Sequence, residues 1–310
     1  MRKKGIQKSY AARIKKIFLK NWQLYVLLLP AIIYLFLFNY MPMYGVQIAF
    51  RDFSVRKGIW GSEWVGLEHF KRFITYPNFG LVFKNTLWLG IYSLLTFPCA
   101  IIFALMLNEV KNIKFKKMLQ MISYMPNFLS VVVVCSMIKL FFDMDGGVIN
   151  SFIEFFGGSR KEFLAMPQYF DELYIWSGVW QSLGFSSIIY LSALSGVPAE
   201  LVDAAKVDGA GRIKVIWHVN IPSILPTIIM LLILACGGIL NTGFEKCFLL
   251  QNSLNLSVSQ VISTYTYEVG LVGGQFSYSS AIGLFNVVVN FILLAIVNAV
   301  SKKVTEVGIW

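Results

Sequence analysis

The sequence predicts an all-α membrane protein with six transmembrane helices and both chain ends on the same side of the bilayer. Three observations carry that prediction. Of 310 residues, 57% are hydrophobic and only 14% charged, a balance unsuited to water. The apolar residues gather into six runs, each long enough for the roughly 20 helical residues that cross a hydrocarbon core about 30 Å thick. Lipid offers no partner to an unpaired backbone group, so helix is the form such runs take.

The chain opens on a basic arm. Eight of its 27 Lys and Arg residues fall within the first twenty positions, and between Lys8 and Lys20 they alternate with Tyr10, Ile14, Ile17, Phe18 and Leu19. That is the pattern of an interfacial helix feeding a span. The apolar run after Trp22 is too long for the core of a cleavable signal and lacks a small-residue cleavage site, so it is expected to be retained. The first span covers about 22–40. The second covers about 81–107 and holds Pro98, which is expected to bend it. The third, about 119–142, contains Pro126 and Lys139. The fourth, fifth and sixth cover about 173–194, 224–244 and 279–300. Residues 1–21 thus form an arm and 22–310 one six-helix membrane domain.

Six spans leave alternate connections on opposite sides. The side holding both termini carries 17 Lys and Arg residues against eight on the other, with Lys84 and Lys139 inside spans. The positive-inside rule places the richer side, and both termini, in the cytoplasm of a multi-pass membrane protein. The exterior connections, about 41–79, 143–172 and 245–278, are long and aromatic, which suits gates or docking surfaces.

Several chemistries are disfavoured. Cys99, Cys135, Cys236 and Cys247 show no CxxC spacing, and only His69 and His218 could supply imidazole, so neither a disulfide framework nor a metal centre is indicated. Asp143, Asp145 and Glu154 lack the remaining ligand positions of a calcium loop. Leu271 to Gln275, LVGGQ, has a superficial likeness to an ATPase signature peptide, but no phosphate-binding G-x-x-x-x-G-K-[ST] accompanies it. No enzymatic activity and no bound cofactor are expected of this chain.

Polar residues inside apolar runs are informative, because burying them without a partner costs free energy. They are Lys139, Gln181, Tyr190, Asn241, Glu245, Asn286 and Asn290. Tyr190, Asn241, Glu245, Asn286 and Asn290 are candidates to line a solute pathway. Asn286 and Asn290 share one helix face, and a helix-to-helix hydrogen bond explains them as well as solute contact does.

The most specific stretch is GVPAELVDAAKVDGAGRIKVIWHVNIPSILP, residues 196–226, in a cytoplasmic connection. Pro198 suits the start of a short helix reaching Asp208, with Glu200 and Asp203 toward its positive end. Gly209 and Gly211 permit a sharp turn. A second short helix from about 213 to 220 is expected to end ahead of Pro222, with Pro226 just inside the next span.

This segment resembles the EAA loop of type I importer permeases of the ATP-binding-cassette superfamily, with Asp203-Ala204-Ala205 as its triplet, Gly209 as its glycine and Ile221-Pro222 as its close. Asp203 stands where Glu is usual, and Ile221 where Leu is commoner. Weaker stretches, among them WVGLEHFKRF, GFEKCFLLQN and TYTYEVGL, are similar to the oligosaccharide permease branch that includes LplB-like proteins. The resemblance implies the MetI-like permease fold with a coupling helix that seats in a cytoplasmic nucleotide-binding subunit. In that reading Asp203, Ala204, Ala205, Asp208, Gly209, Ile221 and Pro222 serve ATPase coupling. Implied partners are a second, different permease, two copies of a cytoplasmic ATPase that uses ATP and Mg, and an extracytoplasmic solute-binding lipoprotein. The implied substrate is an oligosaccharide or polysaccharide fragment. Permeases for non-sugar solutes share the coupling loop, and an ion-coupled carrier or a membrane-embedded enzyme would be the readings outside this family.

Overall fold

The computed structural model describes residues 20–309. The expected interfacial helix falls outside that range, apart from Lys20. Two compact units divide at Glu68.

The first unit is built on α1, Trp22–Phe50, none of whose residues up to Leu35 is buried. A helix apolar on every face needs lipid or a partner around it. It runs into a two-strand hairpin, β1 (Arg51–Asp52) antiparallel to β2 (Glu63–Trp64). The Arg51 guanidinium donates to the Ser62 carbonyl at 2.9 Å and lies over the rings of Trp60 and Trp64. Phe50 stacks on Trp64 at 5.6 Å.

The second unit holds the other candidate spans. α2, Phe79–Glu109, consists of two helical pieces that meet at Thr96, with Pro98 in the first turn of the second piece, where its missing N–H matters least. The single third span expected over 119–142 is instead two helices, α3 (Ile113–Phe128) and α4 (Val131–Phe141), set at 98°. Pro126 opens a tight terminal turn, Leu129 is extended, and Ser130 restarts the helix by accepting the Val133 N–H. The Leu129 carbonyl freed by the break takes a hydrogen bond from the Gln181 amide at 2.8 Å. α5, Val148–Phe155, and an irregular stretch follow.

α6, Pro167–Ser195, is the central helix and packs most extensively against α2. At Gly184 it approaches Ser123 of α3 so closely that a Cβ would meet backbone. α7, Ala199–Val207, then turns away at 74°. The short helix expected to stop before Pro222 is not separate: α8 runs unbroken over Arg212–Gly237. Residues Ile216–Asn220 adopt π geometry, in which the Ile221 N–H reaches the Ile216 carbonyl. One widened turn absorbs the missing donor of Pro222, and the Ser223 hydroxyl caps the Val219 carbonyl at 2.6 Å.

α8 also ends earlier than the expected 244. Gly237 presses on Leu294, where a Cβ would come within 2.6 Å of Cδ1, and an irregular turn leads to α9, Phe244–Leu250. α10, Ile262–Tyr267, and α11, Phe276–Thr305, complete the unit. Among the described residues four helices are thus long and apolar enough to cross a membrane unaided, and six spans result when α3 with α4 and α6 with α7 each count as one bent span. Three buried clusters hold the helices together: around Cys135, Phe170 and Cys247; around Phe73, Tyr265 and Ile282; and around Ala104, Tyr190 and Ile224.

Candidate functional site

The residues of the 196–226 segment fall into two groups. Pro198 precedes the first turn of α7, and Asp208 and Gly209 end the helix. Gly209 takes φ +80, the left-handed region that a Cβ strains. Its N–H reaches the Lys206 carbonyl at 3.0 Å, and the Ala210 N–H reaches the Ala205 carbonyl at 2.9 Å. This paired closure satisfies carbonyls that the helix end would leave open. Asp203 is exposed and ion-paired with Lys206 at 2.9 Å, a contact worth about 0–1 kcal/mol at most. Ala204, Asp208 and Gly209 are exposed and Ala205 is half-buried.

Ile221 and Pro222 lie elsewhere, within α8. Ile221 packs on the cluster of Tyr190, Leu194 and Ile224, while Pro222 faces outward. What the sequence reading overlooked on this surface is apolar: Val207 is 88% exposed and Ile213 73%, with Trp217 beside them in sequence. An apolar residue at the tip of a helix in a charged connection was the available signal.

A cavity of about 580 Å³ opens between α2, α6 and the end of α8. Tyr190 and Asn241 line it, together with Tyr174, Ser182, Ser186 and Thr242. Ser182, Ser186 and Tyr190 recur every fourth residue, so one face of α6 supplies a row of hydroxyls. Tyr190 is also packed edge-on by Phe97 at 6.3 Å. The Asn241 carboxamide oxygen accepts from Asn290 at 3.0 Å and Asn286 at 3.5 Å, and the Asn290 oxygen accepts the Leu240 N–H at 3.1 Å. Asn286 and Asn290 therefore hold the turn after α8 against α11 and stand behind the lining, not in it. Glu245 is exposed on α9 and lies apart from the cavity. Gln181 is committed to the helix break, and Lys139 is exposed on α4. The Thr242 hydroxyl is buried at the wall with no partner among the described residues.

Close to that wall sits Lys246, 9% exposed. Its ammonium donates to the Tyr174 carbonyl at 2.6 Å and lies 4.9 Å from the centre of that ring, while the Tyr174 hydroxyl accepts the Gly243 N–H at 3.0 Å. Burial pushes the Lys246 ammonium down to about 8.

Residues 96–306, which include α7 and most of the cavity lining, match the family model described as binding-protein-dependent transport system inner membrane component. The chain belongs to this family. It is a membrane permease component with the MetI-like six-helix fold. The chain is 46% identical over 288 residues, 93% of its length and 90% of the relative's, to the polygalacturonan/rhamnogalacturonan transport system permease protein YteP of Bacillus subtilis (strain 168). It is 42% identical over 308 residues, 99% and 95% of the two chains, to protein LplB of the same organism. A chain of the bacterial alginate ABC transporter, solved in complex with alginate pentasaccharide-bound periplasmic protein, superposes with a TM-score of 0.87 at 37% identity, covering 96% of this permease and all of that chain.

Proposed function

We propose that this permease imports an oligosaccharide or polysaccharide fragment as one half of a permease pair, driven by a separate cytoplasmic ATPase that docks on α7. The observation that carries the reading is α7 itself: a short helix between two spans, closed by Gly209 and presenting Val207 and Asp203 to solvent. Exposed apolar side chains on a short turned-out helix suit a protein cleft better than water. Asp203 would engage the ATPase electrostatically, Ala204 and Ala205 would allow close approach, and Asp208 and Gly209 would fix the exit of the chain. Ile221 and Pro222 would then carry movement from α7 into the body of the bundle.

Sugar as the substrate draws support from the saccharides that the relatives transport and from the cavity, whose hydroxyl and carboxamide groups match sugar hydroxyls. ATP and Mg belong to the ATPase in this reading, and substrate arrives on an extracytoplasmic binding protein. Both termini lie in the cytoplasm, the side from which α7 must be reached.

Mild-detergent purification of the tagged chain from its native membrane, with mass spectrometry of what accompanies it, tests the assembly. The expected result is a cytoplasmic ATPase and a second six-span permease. Gly209→Pro should insert normally yet lose the ATPase and uptake. A chain that purifies alone from cells making those proteins, or normal uptake by Gly209→Pro, overturns the coupling role of α7.

A further inference from the structure

Among the described residues no carboxylate and no cation lines the cavity, and one charge, Lys246, is buried behind its Tyr174 end. Lys246 reaches Tyr174, a lining residue, from the outer side. Gly178 leaves the space: a Cβ there would stand 3.1 Å from the ammonium nitrogen. Of the three donors on that nitrogen, one is used by the Tyr174 carbonyl, and among the described residues no carboxylate lies within ion-pairing range. The groups facing it are the thiols of Cys135 on α4 and Cys247 on its own helix, neither of which neutralises it. A cation buried without a counter-charge is costly, and the cost is recovered when an anion comes within range. In the same wall the Thr242 hydroxyl is buried without a partner among the described residues, with exposed Asn241 adjacent.

We propose that Lys246 is a specificity-determining residue: its uncompensated positive charge, acting through the Tyr174–Thr242 wall, favours passage of anionic sugars over neutral ones. The inference rests on the sugar reading above and adds the charge class of the substrate. In a poorly screened interior a unit charge a few ångströms beyond the wall is worth about tenfold or more in the handling of a monoanion. Lys246 remains largely protonated at neutral pH, since burial lowers it only to about 8.

The test is ATP-driven uptake by the assembled importer in proteoliposomes, comparing a uronate trisaccharide with its fully methyl-esterified form. Binding of both to the solute-binding protein is measured separately. Lys246→Gln should slow uronate uptake about tenfold while leaving uptake of the ester and basal ATPase unchanged; Lys246→Arg should keep the wild-type ratio. Equal slowing of both sugars by Lys246→Gln, or no change in either, overturns the proposal, as does a ratio lost in Lys246→Arg at normal assembly. Should the wild-type importer carry neither sugar, the sugar reading falls and this inference falls with it.

Discussion

At the scale of single residues, the polar groups of the spans act mainly on backbone. Asn290 is 6% exposed and joins the Leu240 N–H to the Asn241 carboxamide, so it fixes the irregular turn that forms one end of the cavity. Asn290→Leu leaves that N–H unpaired and that oxygen with only the longer bond from Asn286, at a cost of about 1–3 kcal/mol. A lower unfolding temperature in detergent is expected, with tagged protein still inserted; an unchanged midpoint would contradict the clamp. The four-residue spacing of Asn286 and Asn290 was legible in the sequence, but the choice between clamp and solute contact was not. Their partner lies some fifty residues away, a separation that carries no local signal. Gly209 was legible because a glycine after a helical run has few other uses, and φ +80 is the conformation that demands it. Lys246 was not, because a lysine beside a glutamate in an exterior connection reads as solvated.

The same division holds for the elements. Long apolar runs and the short helix α7 could be located from the sequence, whereas how a helix passes a proline depends on neighbours. Pro126 accompanies a right-angled break, because Ser130 restarts the chain and Gln181 satisfies the exposed carbonyl from another helix. Pro222 accompanies no break, because a π turn and the Ser223 hydroxyl take up the missing donor inside α8. Gln181→Leu tests the first case. It should leave the part-buried Leu129 carbonyl without this partner and destabilise the junction of α3 and α4 by about 1 kcal/mol. The expected readout is faster amide exchange across 125–133, and exchange as slow as wild type would remove Gln181 from that role.

For the whole molecule, the family places the chain in a membrane, and the sidedness proposed from its Lys and Arg distribution is open to direct labelling. In a cysteine-free background, Val207→Cys should react with an impermeant maleimide only in inside-out vesicles, and Phe155→Cys only in intact cells or right-side-out vesicles. Both positions are well exposed in this chain, at 88% and 82%, so in vesicles stripped of the ATPase access is decided by side and not by burial. The reverse pattern would invert the topology and put α7 out of reach of any cytoplasmic ATPase. The unbroken course of α8 then has a mechanical meaning. It begins beside α7, and Leu231 and Ala235 near its far end face the cavity. Its 26 residues make a stiff rod of about 39 Å. A tilt of about 5° at the near end would swing Ala235 by roughly 3 Å. Had the chain broken ahead of Pro222, that stroke would dissipate at a hinge; because it does not, α8 can serve as a crank that turns a push on the cytoplasmic face into a wider or narrower passage.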